Sequence, residues 1–222
     1  MIRIANDGAS ERELIDISIP YSSAIAVWPG DVPFSCGWTA RREDGSSVNL
    51  GAITTSIHAG THADAPLHVE SAWGASESLD VSLFVGRCTV IVLRESTSSD
   101  FTVGVELLQA LLHGQTATRV LLCTRHAVAS GSFPTMWPVL DEPAAEWLVS
   151  QNVQLFGTDA PSVDARESKS LPIHHRLFNG GARILENLSL SNVPAGSYEL
   201  LAQPLSMVGA DAAPVRALLR RL

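Results

Sequence analysis

Cysteine is scarce in this chain. Cys36, Cys88 and Cys123 are the only three among 222 residues, and they are widely spaced with no C-x-x-C pair. An odd, scattered set argues against a disulfide framework and fits a reducing cytoplasm. Each reads as a small buried apolar side chain. Long apolar runs are also missing. No stretch of 18 uncharged apolar residues occurs, so no membrane-spanning helix is expected. Residues 1–8, MIRIANDG, hold no apolar run of signal-peptide length. Runs of Lys or Arg are absent as well, and the net charge is −8. Nucleic acid and anionic membrane surfaces are therefore not expected as partners. There is no internal repeat and no low-complexity segment. With 45% hydrophobic and 17% charged residues, the chain reads as one globular domain over residues 1–222.

What is present is a mixture of strand and helix signals. Residues 14–19 alternate weakly and end at Pro20. Trp28-Pro29-Gly30-Asp31 forms a turn, and residues 48–57 are rich in β-branched side chains. The runs RCTVIVL (87–93), RVLLC-T (119–124) and VQLF (153–156) look like buried strands. RILENL (183–188) and YELL (198–201) are further strand candidates. Residues 105–112 have helical spacing. Asp141-Glu142-Pro143 looks like a helix start, with an acidic cap and proline in the first turn. Residues 214–222 read as a helix opened by Pro214. Strands dominate, which predicts an α/β or α+β domain around a buried sheet.

The chemistry concentrates in HAGTHADAPLH, residues 58–68. His58, His62, Asp64 and His68 lie within eleven residues, and three of the seven histidines are here. Imidazole and carboxylate are the usual non-thiolate ligands of zinc and related metals. An extended strand would hold His58 and His62 roughly 13 Å apart, at about 3.3 Å per residue, too far for one ion. A helix would join that pair but turn Asp64 away, and Gly60 and Pro66 disfavour a long helix. A bent loop or a single helical turn lets the four converge. The remaining candidates are His113, His126, His174, His175 and carboxylates such as Glu186. His174 and His175 follow Pro172 in an expected loop. Glu186 sits in an apolar strand, where a carboxylate must be paired, ligating or exposed; taken alone, a solvent-facing position on an edge strand is its simpler reading.

Residues 58–68 fit H-x-G-T-H-x-D-x-P-x-H, and through this motif the chain resembles the cyclase-like metal hydrolases. That family includes bacterial kynurenine formamidases and isatin hydrolases. Residues 27–34 (VWPGDVPF), 48–50 (VNL), 157–164 (GTDAPSVD), 185–188 (LENL) and 214–217 (PVRA) extend the similarity, which favours the formamidases. The resemblance implies that His58 and His62 bind one metal and that Asp64 bridges two. It further implies that His174, twelve residues before Glu186, completes a second metal with that glutamate, His175 being the close rival. His68 would be the acid–base residue, and Trp28 would line the substrate site. Also implied are a swivelling β/β/α fold with a mixed buried sheet or barrel and flanking helices, two divalent ions per subunit (zinc, with manganese or cobalt also allowed), and a homodimer. Residues 126–140 match no pattern of the family.

The expected activity is hydrolysis of N-formyl-L-kynurenine to L-kynurenine and formate, with a metal lowering the pKa of a water and His68 shuttling the proton. Isatin or another cyclic amide is the alternative substrate, and a metal-binding protein without turnover is the alternative class. A serine mechanism is weaker. No G-x-S-x-G elbow occurs, and Ser130-Gly131-Ser132 lacks the strand–elbow–helix setting.

Overall fold

The computed structural model describes residues 14–94, 97–128 and 132–222. Residues 1–8 and the pair Ser130-Gly131, both considered above, lie outside them. The strands are β1 (Leu14–Asp16), β2 (Ser35–Ala40), β3 (Leu50–Thr54), β4 (His62–Asp64), β5 (Val85–Val92), β6 (Thr102–Val103), β7 (Arg119–Cys123), β8 (Val139–Leu140), β9 (Leu155–Thr158), β10 (Arg183–Glu186), β11 (Gly196–Leu201), β12 (Ala212–Pro214) and β13 (Leu218–Arg221). The helices are α1 (Val105–Leu112), α2 (Glu142–Ser150) and α3 (Pro172–Asn179).

Nine strands form one mixed sheet in the order β1-β13-β11-β5-β7-β9-β10-β4-β12. Its centre, β5-β7-β9-β10, is parallel. Each parallel step needs a crossover, and α1, α2 and α3 supply the three in turn. Both faces of the centre are covered, so its strands are apolar on both sides. In β7, Leu121 and Cys123 face one core with Leu155 and Leu185, while Val120 and Leu122 face the helices beside Leu108, Leu148 and Leu177. The outer strands are antiparallel, and the sheet curls. Beyond β1, Ser18 bridges Leu188 just past β10, and Ser189 N–H donates to Ile17 O at 2.8 Å. Ile17 from one end of the sheet and Ala63 from the other thus share one core. This is the α/β architecture with a mixed, barrel-like sheet and flanking helices that the resemblance implied.

Asp141 caps α2 as expected, its Oδ1 accepting Ala144 N–H at 2.7 Å. Two local expectations are overturned. The tail is not a helix. Residues 218–221 form β13, paired with both β1 and β11. Ala217 and Leu219 are buried, and pairing on both sides outweighs the helical propensity of Ala, Leu and Arg. His174 and His175 are not in a loop either. They lie in the first turn of α3, where Pro172 suits the helix start. The preceding Leu171 is left-handed (φ 45°) and offers no side-chain cap. Asp164, eight residues upstream of Pro172, caps instead, its two oxygens each accepting at 3.1 Å from Ile173 and His174 N–H.

Candidate metal centre

The histidine segment is bent as its spacing requires. Residues 57–60 turn, β4 runs for three residues, and Pro66–His68 forms a 3-10 turn. Gly60 makes the bend with φ +64°. A Cβ there would also meet Ile25 Cδ1 at 3.0 Å, so both the backbone and the space require glycine. In β4, His62 and Asp64 point to one face. Register then brings in the carboxylate from across the sheet: His62 pairs with Glu186, and Asp64 with Ile184. Ile184 lies in the core beneath the helices. The site is therefore on that face, at the carboxyl end of β10, with the first turn of α3 delivering His174. Ligands commonly bind at such strand ends.

Two triangles of donors result. His58 Nδ1, His62 Nε2 and Asp64 Oδ1 lie 3.2 Å from one another. His174 Nε2 lies 3.5 Å from both Asp64 Oδ2 and Glu186 Oε1. Glu186 Oε2 reaches back to within 3.5 Å of His62 Nε2. Four-coordinate zinc with bonds of about 2.0–2.2 Å sets its ligands roughly 3.3–3.6 Å apart, so the spacing fits an ion in each triangle. Asp64 has one oxygen in each triangle, and Glu186 belongs to the second while its other oxygen faces His62 of the first. Glu186 is buried, which rules out a solvent-facing edge position for it.

The hydrogen bonds point the same way. Both Asp64 oxygens and His174 Nε2 are buried with no hydrogen-bond partner among the described residues, a costly state unless another group fills the gap. The opposite nitrogen of each of the three imidazoles is anchored. His58 Nε2 lies 3.0 Å from Asp211 Oδ2, His62 Nδ1 lies 2.9 Å from Gly60 O, and His174 Nδ1 lies 2.7 Å from Asp164 Oδ2. With a proton on each anchored nitrogen, the lone pair of the other faces the centre, as in metal-ligating histidines generally. Glu186 Oε1 additionally accepts Val163 N–H at 2.7 Å.

Burial alone would lower these imidazoles, but the carboxylates prevail. His58 is raised to about 9 by the adjoining carboxylates of Asp211 and Asp64. His62 is raised to about 10 by Asp64 and Glu186. His174 reaches about 10 through Asp164 and Asp64. For Asp64, burial works upward, yet His62 and the other imidazoles hold its carboxyl well below the usual range.

His68 lies beside the two triangles rather than in them. Its ring centroid is 4.3 Å from that of His58 and 5.6 Å from that of His174. Its Nδ1 is 3.2 Å from the same Asp211 oxygen that His58 meets, which leaves Nε2 for other work. His58, His68 and Asp211 could also hold an ion by proximity, but Asp211 is then shared with the Nε2 of His58, whose Nδ1 faces Asp64. His175 stays outside, its ring 5.7 Å from Trp73.

A cavity of about 290 Å³ opens onto the centre, lined by His58, His68, His174 and Glu186 and walled by Trp28 and Phe133. That is near the lower end of small-molecule sites, which span about 300–1,000 Å³. Trp28, Phe133 and Trp137 pack edge to face, with centroids 5.1–6.0 Å apart. Trp137 Nε1 donates to Asp164 O at 3.0 Å, tying this wall to the residue that holds His174. The sequence reading missed Asp211, Asp164, Phe133 and Trp137. Asp164 carried a signal as the last residue of the GTDAPSVD segment, and Phe133 and Trp137 fall within residues 126–140, the segment that matched no pattern of the family.

The family model described as "Putative cyclase" matches residues 15–165. This chain belongs to the cyclase family. It is 47% identical over 209 residues to a kynurenine formamidase of Salinibacter ruber, covering 93% of this chain and 97% of that one. It is 43% identical over 211 residues to a kynurenine formamidase of Bacillus cytotoxicus, covering 95% and 98%. Among solved structures, one described as a potential metal-dependent hydrolase with cyclase activity superposes with a TM-score of 0.78 at 28% identity, covering 93% of this chain and 96% of the other. An isatin hydrolase bound to thioisatinate superposes at 0.82 with 22% identity, covering 93% and 91%, a likeness of fold alone. Among the described residues, no helix is long and apolar enough to cross a membrane.

Proposed function

We propose that this protein is a metal-dependent formamidase that hydrolyses N-formyl-L-kynurenine to L-kynurenine and formate. The observation that carries the reading is a pair of donor triangles that share Asp64 and are linked by Glu186, which reaches from one to His62 of the other, at the floor of an aromatic-walled cavity. Formamidase relatives matching nearly the whole chain support the choice of substrate.

His58, His62, Asp64, His174 and Glu186 would hold two divalent ions, zinc or, with the same donors, manganese or cobalt. Such ions supply positive charge that acidifies a water and favours negative charge on the formyl oxygen. The chain's own residues do the rest. Trp28 packs against the aromatic ring of the substrate and, with Phe133, keeps the reacting end from bulk water. His68, oriented through Nδ1 by Asp211, takes a proton at Nε2 as the water oxygen bonds to the formyl carbon. It returns that proton to the aniline nitrogen as the C–N bond breaks. Water and formanilide thus become the free amine and formic acid, which gives up its proton to leave as formate. The remaining expectations are a small-molecule substrate, a homodimer and a cytoplasmic setting. The last is supported by the three free cysteines, of which Cys88 and Cys123 are buried as expected while Cys36 is exposed.

Purified, metal-loaded protein assayed on N-formyl-L-kynurenine and isatin tests the reading. Preferential hydrolysis of the formamide is expected. Turnover of isatin alone would replace the substrate, and turnover of neither would leave a metal-binding protein without this activity.

A further inference from the structure

The amino-acid end of N-formylkynurenine carries an ammonium and a carboxylate, and the centre engages neither. Five charged or titratable residues line the cavity: Asp31, His58, His68, His174 and Glu186. Four of them belong to the centre or its proton shuttle. Asp31 alone has no part in the chemistry. Among the described lining residues there is no Lys or Arg.

Asp31 is also built into place. It closes the turn that presents Trp28, its N–H donating to Trp28 O at 2.9 Å. Gly30 enters that turn with φ +91°, a conformation that favours glycine. The Oδ1 of Asp31 accepts Val32 N–H at 2.7 Å, which fixes the carboxylate, and no hydrogen bond to Oδ2 occurs among the described residues. One short turn thus offers an aromatic face and, three residues later, an oriented carboxylate.

We propose that Asp31 holds the ammonium group of the substrate, so that the cavity selects formanilides with a cationic side chain. A carboxylate and an ammonium form a strong charge-assisted hydrogen bond. The substrate carboxylate meets no Lys or Arg among the described lining residues and is dispensable. The accepted class therefore includes the decarboxylated amine, 3-amino-1-(2-formamidophenyl)propan-1-one. This inference rests on the formamidase reading and adds a specificity-determining residue to it.

The test compares three substrates in wild-type and Asp31→Asn protein: N-formyl-L-kynurenine, the decarboxylated amine, and 4-(2-formamidophenyl)-4-oxobutanoate, which keeps the carboxylate and lacks the amine. Asparagine can still accept Val32 N–H, so the turn is retained. In wild type, kcat/KM for both amine-bearing substrates is expected to exceed that for the oxobutanoate by about tenfold, the worth of one charged hydrogen bond from the exposed Asp31. In Asp31→Asn this selectivity ratio is expected to collapse towards one, through KM. Equal use of all three substrates by wild type overturns the proposal, as does an unchanged ratio in the variant. Failure to hydrolyse any of the three is a different result, which removes the formamidase reading. Calorimetric binding of L-kynurenine then decides Asp31 by itself: weaker binding by Asp31→Asn supports it, and equal binding overturns it.

Discussion

Replacing Asp211 tests whether the imidazoles at the centre are held or merely adjacent. Its Oδ2 lies 3.0 Å from His58 Nε2 and 3.2 Å from His68 Nδ1, so one oxygen orients two rings. The hydrogen bond from His58, aided by that imidazole's charge and by His68, in turn holds the Asp211 carboxyl well below the usual carboxylate range. Asp211→Asn can keep both contacts through its amide oxygen and loses only the charge. Asp211→Ala loses everything. A hydrogen bond to a charged group is worth about 1.5–3 kcal/mol, or about 10–150-fold at 1.4 kcal/mol per decade. Removing the outer partner of a ligating histidine costs about 10–100-fold in metal affinity or activity. The Asp211 side chain is 43% exposed, and solvent screening moves the expectation to the lower part of both ranges. Asp211→Ala should therefore lose about 30-fold in kcat/KM on N-formyl-L-kynurenine, and Asp211→Asn about three- to tenfold. Competition with a chromophoric chelator should show weaker metal binding in the alanine variant. Wild-type kinetics together with wild-type metal affinity in Asp211→Ala would refute the reasoning.

Three further outcomes follow from the same geometry. His68→Ala should keep most of its metal and lose roughly 10²–10⁴-fold in kcat, the usual span for acid–base catalysis; metal analysis that falls in step with activity would make His68 a ligand instead. In metal-free protein His58 is raised to about 9 and His62 and His174 to about 10, so at neutral pH these imidazoles hold protons that a metal must displace. Metal binding should release protons, and apparent affinity should rise with pH until about pH 10; calorimetry in buffers of different ionisation enthalpy that finds no release would contradict this. Gly157→Ala should destabilise the fold by about 1–3 kcal/mol in urea unfolding, because a Cβ there would sit 2.6 Å from Leu121 Cδ2 and 2.9 Å from Leu188 Cδ1, and an unchanged midpoint would show that β9 can shift.

The local motif was legible because its chemistry and its spacing act over eleven residues. His58, His62, Asp64 and His68 could be grouped, and Gly60 marked as the bend, before any fold was known. Glu186 and His174 could be joined to them only by resemblance. Their approach depends on the register of β10 against β4 and on how α3 crosses the sheet, neither of which a linear pattern encodes. Asp211 was invisible for the same reason. It is a single carboxylate ahead of an Ala-Ala-Pro strand, and it meets His68 across 143 positions. The start of α3 was misread because its cap is not local: Asp164 reaches forward past a loop to two N–H groups. The tail was misread because Leu218–Arg221 favours a helix in isolation and gains two neighbouring strands only in the folded sheet. Central strands fared better. Runs such as RVLLC are apolar on both faces because helices cover one side and the curled sheet the other.

The central claim is that His58, His62, Asp64, His174 and Glu186 hold the ions on which hydrolysis depends. Its most direct test measures metal content and N-formyl-L-kynurenine turnover on the same samples, before chelation, after chelation, and after adding back zinc or manganese. Two ions per chain are expected in the active protein, with metal and turnover lost together and recovered together. Full turnover by protein verified to be free of metal would contradict the account.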